Sequence, residues 1–250
     1  MQRAFSRSLV VTAALLVFVV ADASAQGGLN LSWTDCGANG TESRTFACTT
    51  NGVVGTLFGS VTPPEQIDQL NGEESEAIIQ TNQAALSQWW HLETASGPTP
   101  AGCRAGNLVF SNDFTTASGL CSDPWGGLGF GGLNWESNYF QPNHGRLRTA
   151  GAIAGSTVMA TDREWYIWKV TILGSRTVGT GSCAGCTDGI CIAFTSQKLT
   201  EPLGVGDYVI TNALGREWVT FQPGGATTWI CGGRVPTRNR TWGSVKSLYR

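Results

Sequence analysis

Residues 164–173 read EWYIWKVTIL, a run of the chain with almost no polar face. With strand alternation, Tyr166, Trp168, Val170 and Ile172 fall on one side. Trp165, Ile167 and Leu173 make the other side largely apolar as well. A strand of that kind has to be covered twice, so it belongs in the middle of a sheet with material packed on both faces.

Other short runs of the same type lie on either side. Leu29 to Cys36 places Leu29, Leu31 and Trp33 opposite Asn30, Ser32 and Thr34. Beyond the turn at Asn39-Gly40, Arg44 to Thr49 reads as its hairpin partner, and Val53 to Val61 follows and stops at Pro63-Pro64. Ser75 to Gln83 fits a strand or a helix, and NLVFSNDF, ICIAFTSQKL, DYVITN, EWVTF and TTWIC fit strands. Turn clusters separate these runs, Gly is abundant (33 residues), and no long amphipathic helix is present in the pattern. The expectation is an all-β chain of about ten to twelve strands, folded as a two-sheet antiparallel β-sandwich of jelly-roll type.

The first 25 residues carry Arg3 and Arg7, then an apolar stretch from Leu9 to Val20, then Ala23-Ser24-Ala25. That is the layout of a secretory signal peptide, with an apolar stretch too short to favour a membrane span. The mature chain, 26–250, is read as one sandwich domain with a basic C-terminal segment, secreted or at the cell surface, with no membrane span. Removing residues 1–25 takes away two of the 16 basic and one of the 18 acidic residues, leaving a net charge of −3. Such a balance gives no electrostatic footprint for nucleic acid.

All eight cysteines, Cys36, Cys48, Cys103, Cys121, Cys183, Cys186, Cys191 and Cys231, follow the leader. An even number outside the cytoplasm argues for disulfides. The pairing read from spacing is 36–48, 103–121, 183–186 and 191–231, with 183–191 and 186–231 as the alternative. Zinc on Cys183, Cys186, Cys191 and Cys231 satisfies the ligand count but not the oxidising compartment. The Cys183-x-x-Cys186 spacing lacks the βαβ context of a redox motif. No metal and no cofactor is expected.

Candidate sites are weaker. Gly127-Leu-Gly-Phe-Gly-Gly132 matches G-x-G-x-x-G but has no helix pattern after it. His91 and His144 are the only histidines, and neither has a recognisable nucleophile partner. His91 and Glu93, taken with Cys183 and Cys186, imitate part of a zinc deaminase signature without its proline. Glu136, Glu164 and Glu217 each adjoin a tryptophan, and any two could act as the acid pair of a glycoside hydrolase. Trp89, Trp90, Trp125 and Trp135 lie in polar or Gly-rich stretches and are candidates for exposed rings that bind a glycan or another protein. The acidic patch at Glu65, Asp68, Glu73, Glu74 and Glu76 and the basic end at Arg234, Arg238, Arg240, Lys246 and Arg250 suggest head-to-tail self-association.

Several phrases taken together, LSWTDCG, TFACTTNG, SQWWHL followed by GCR, TVGTGSCAGC and PTRNRTWGSVKSLYR, resemble secreted proteins of environmental bacteria that have no assigned activity. The resemblance implies export and a single long β domain. It implies no catalytic residue or ligand. The expectation is therefore a non-enzymatic structural or binding protein, possible partners being a second copy or a surface glycan. A carbohydrate-binding module or a glycoside hydrolase is the alternative.

Overall fold

The computed structural model describes residues 27–212 and 216–222. Among them the strands are β1 (Gly28–Trp33), β2 (Ser43–Arg44), β3 (Val53–Thr62), β4 (Ile67–Thr81), β5 (Leu108–Ser111), β6 (Phe130–Ser137), β7 (His144–Met159), β8 (Trp165–Leu173), β9 (Ile190–Thr200), β10 (Tyr208–Ile210) and β11 (Trp218–Phe221). The expected leader at 1–25, the strand TTWIC and the basic C-terminal segment lie outside the described residues.

The smaller sheet runs β1-β3-β8-β5 and the larger β2-β11-β9-β4-β7-β6, with β10 also paired to β9. Every pairing is antiparallel except β2 with β11. The pairs β6–β7, β5–β8 and β4–β9 are nested in sequence, so the chain folds like one long hairpin wrapped over two sheets. This is the jelly-roll pattern of a β-sandwich.

Alternation explains the interior. Leu29, Leu31 and Trp33 of β1, Leu57 of β3 and Trp168 of β8 face Ala77, Ile79, Leu147, Ile192, Phe194 and Phe221 of the larger sheet, within one cluster of buried side chains. Trp168 meets Phe194 edge-on at 5.4 Å, and the Trp33 indole donates to the Thr220 carbonyl at 2.9 Å. Burial of this many large side chains supplies most of the drive to fold.

The central strand lies where the sequence puts it, between β3 and β5, but its faces differ from simple alternation. A register shift between Gly59 and Ser60 of β3 sets Gly59 opposite Trp168 and Ser60 opposite Tyr166, leaving Ile167 as the extra residue. That bulge turns Tyr166 to the outer face while Trp168 stays inside. On the outer face Tyr166 stacks on Phe114 at 4.6 Å, and its hydroxyl donates to Asp35 at 2.6 Å.

Other expectations need correction. β1 pairs with β3, not with residues 44–49; the chain crosses to the larger sheet, where β2 runs beside β11. The strand-or-helix segment at 75–83 ends the fifteen-residue strand β4. The sixteen-residue strand β7 starts at His144.

The cysteine pairs also differ from the local ones read from spacing. Cys36 bonds Cys121, Cys48 bonds Cys186, and Cys103 bonds Cys183. The pairs 36–48, 103–121 and 183–186, and the alternative 183–191, are therefore incorrect; so is 186–231, because Cys186 is taken. The bonded cysteines lie in loops outside the strands, and strand pairing rather than closeness in sequence brings them together, so each bridge joins segments at least 80 residues apart. Cys231, the expected partner of Cys191, lies outside the described residues. With Cys183 and Cys186 bonded to separate partners, neither a redox Cys-x-x-Cys nor a zinc site using both remains.

Candidate functional site: a groove on the larger sheet

The four candidate tryptophans are interior residues. Trp89 and Trp125 are 0% exposed, Trp90 1% and Trp135 5%. A 3-10 turn at Gln88–Trp90 drives the adjacent pair into one end of the sandwich. There Trp90 stacks near Trp135 at 6.2 Å, and both Trp89 and Trp90 meet Phe221. Arg104, itself buried, lies 3.5 Å over Trp89 and donates to the carbonyls of Trp89, Ser175 and Leu173. Trp125 donates to the Ile167 carbonyl at 2.9 Å. None of the four rings can stack on a ligand at the surface without unpacking the core.

Two of the three candidate acids lie on opposite faces of the sandwich. Glu136 points outward from β6 and is held by Arg146 at 2.6 Å. Glu164 accepts from Asn30 at 3.0 Å and Ser60 at 2.5 Å, on the outer face of the smaller sheet and so on the opposite side of the sandwich. Glu217 precedes β11, where its main-chain carbonyl accepts from Phe194. Glu136 and Glu164, on opposite outer faces, cannot form the acid pair of a glycosidase.

The histidines make no triad. His91 lies 3.4 Å from Glu93, whose other oxygen accepts from Ser137 at 2.5 Å. The acid stands between imidazole and hydroxyl, the reverse of the order that nucleophile activation needs. His144 is buried, which pushes its pKa down, and it contacts Asn143 at 2.8 Å. The glycine motif at 127–132 runs into β6 rather than a helix.

The feature best suited to hold a ligand lies on the outer face of the larger sheet, and no sequence motif marks it. Register sets two rows across the strands. One row runs Val209, Lys198, Glu74, Ala150 and Gly132; the next runs Ser196, Glu76, Arg148 and Asn134. Ala150 and Gly132 offer almost no side chain, so the first row sinks at one end. The result is an open groove of about 610 Å³, within the usual size of ligand clefts.

Charged side chains of alternating sign stand along the groove. Lys198 contacts Asp207 at 2.9 Å and Glu74 at 3.7 Å, and the Asp207 bond holds its ammonium above the ordinary lysine value. Arg146 bridges Glu136 and Glu76 just beyond the second row. Arg148 reaches Glu136 only at 3.8 Å and is half exposed, which leaves its planar donor fork open to the groove. Such a surface can offer paired donors and acceptors to a ligand rich in hydroxyl groups.

The acidic patch read from sequence is split by the strand. Glu74 and Glu76 face outward, whereas Glu73 is buried on the inward side with Ser75, Thr149 and Gln197. Family models, curated proteins and solved structures give no match to this chain. Among the described residues no helix is long and apolar enough to cross a membrane.

Proposed function

We propose that this is an exported, non-enzymatic binding protein that holds a hydroxyl-rich ligand, such as a cell-surface glycan, in the groove across β4, β6, β7 and β9. The carrying observation is the two cross-strand rows, which set Arg148, Lys198, Glu74, Glu76 and Asn134 around a floor lowered by Ala150 and Gly132. Three long-range disulfides fit an oxidising compartment, and the leader-like N-terminus and the resemblance to secreted bacterial proteins point the same way. The test is glycan-array binding followed by calorimetry on the mature protein and on Ala150→Arg, which fills the groove from an exposed position. The wild type should bind at least one glycan, and the variant should lose it more than tenfold with an unchanged melting temperature. No glycan bound, or equal binding by both, sinks the proposal.

A second reading, self-association, draws on a different observation. Among the described residues β6 pairs only with β7, and Leu128 and Phe130 beside its free edge are 71% and 64% exposed. Uncovered edges invite strand pairing. Light scattering that rises with concentration would favour this reading; a constant monomer mass would remove it.

A further inference from the structure

The buried Glu73 sits among more hydrogen-bond contacts than the neighbouring side chains have protons to fill. Ser75 Oγ lies 2.6 Å from Glu73 Oε2 and 2.5 Å from Gln197 Oε1. A serine hydroxyl has one proton and cannot fill both contacts. The Gln197 amide cannot be turned over to help. Its nitrogen faces the Lys198 carbonyl at 2.8 Å, the Glu74 carbonyl at 3.3 Å and Glu73 Oε2 at 3.2 Å, so a turned amide would set oxygen against three oxygens. Ser75 therefore donates to Gln197, and the proton in the shorter Glu73 contact comes from the carboxyl group itself. Thr149 Oγ1 donates to the remaining oxygen at 3.0 Å.

We infer that Glu73 is a protonated carboxylic acid in the folded protein, and that its proton frees the Ser75 hydroxyl to donate to Gln197, a bond between β4 and β9 that alkaline solution withdraws. The surroundings favour this. Burial lifts the Glu73 carboxyl from 4.5 to about 7, the neighbouring Glu74 charge adds a smaller push in the same direction, and the hydrogen bonds from Gln197 and Thr149 oppose it. The inward partners from β7 and β9 are neutral. Arg148 and Lys198 belong to those strands but face the opposite side, with Glu74.

Protons can reach the group. Between Leu70↔Thr157 and Gly72↔Ala152 the β4–β7 register slips and β7 bows away. A cleft of about 450 Å³ opens there, lined by Gly72, Glu73, Gly151, Ile153 and Thr200. Gly151 is a close fit: a Cβ there would stand 3.1 Å from Asn112 and 3.3 Å from Glu73.

A carboxyl raised in the folded state contributes stability that is complete below its unfolded value and is lost as pH rises to the folded value. From well below pH 4.5 to well above pH 7 the folding constant should fall about 300-fold in all, about 80-fold of it between pH 5 and 9. The test has two arms. Carbon-13 NMR of the wild-type protein, with the Glu73 carboxyl assigned through its backbone, should show a titration midpoint near neutrality; a midpoint in the ordinary glutamate range overturns the inference. Melting from pH 5 to 9 should show a falling wild-type curve, and Glu73→Gln, which keeps a donor for Ser75, should lose that fall. Parallel curves also overturn it. If Glu73→Gln does not fold, the wild-type titration decides alone.

Discussion

Replacing Cys36 and Cys121 together by alanine tests the cross-linking scheme most directly. The direct loop between them spans 85 residues, for which the chain-entropy relation gives about 4.6 kcal/mol. The other two bridges shorten the path that remains. It runs 12 residues from Cys36 to Cys48, 3 from Cys186 to Cys183 and 18 from Cys103 to Cys121, about 33 in all. A loop of that size corresponds to about 3.7 kcal/mol. A loss of about 3 to 5 kcal/mol in guanidinium unfolding is therefore expected. Hydrogen exchange should rise first in residues 113–123, because the bridge pins that segment, with Phe114, over Phe58 and Tyr166. Thiol titration of the unfolded variant should find no free cysteine. Had the bonds been 36–48 and 103–121, the same variant would strand Cys48 and Cys103 as thiols. Two titratable thiols, or a loss below about 1 kcal/mol, would refute the reasoning. Peptide mapping of the wild type should also return Cys191 with Cys231, the two cysteines left once the other six are assigned.

Two further substitutions probe the interior. Gly59→Ala places a methyl group against the Trp168 indole at the β3–β8 bulge, and thermal melts should show a loss of about 1–3 kcal/mol. Arg104→Met keeps an apolar stem but removes the guanidinium that binds three carbonyls. Chemical unfolding should show a loss of at least about 2 kcal/mol, and Arg104→Lys should recover only part of it.

The sandwich was legible because its core strands are plain: β8, β3 and β9 are dense in aromatic and branched residues and are bounded by turn clusters. β7 was not, since Gly145, Gly151 and Gly155 with three alanines between Ala150 and Ala154 leave no alternation to detect. Its small residues serve close approach, Gly145 beneath Trp135 and Gly151 between Asn112 and Glu73. Tyr166 and Trp168 were assigned to one face because a bulge is a property of two strands and cannot be seen in one. The tryptophans were misjudged for a related reason: polar neighbours in sequence say little about a 3-10 turn tucked between sheets. The groove escaped notice because its residues come from five strands and meet only through register. Glu73 reads as one more acid in a patch until the strand places it inward.

The three bridges also constrain how the molecule is made. Their spans overlap, so neither Cys36 nor Cys48 can find its mate until Cys121 or Cys186 has been delivered. Chain emerging from the N-terminal end first would hold Cys36 and Cys48 side by side, and short loops close more readily than long ones. The earliest bond to form is then a wrong one. Maturation of this sandwich calls for an exchange catalyst, or a thiol buffer mild enough to let sulfur change partners before the core shuts.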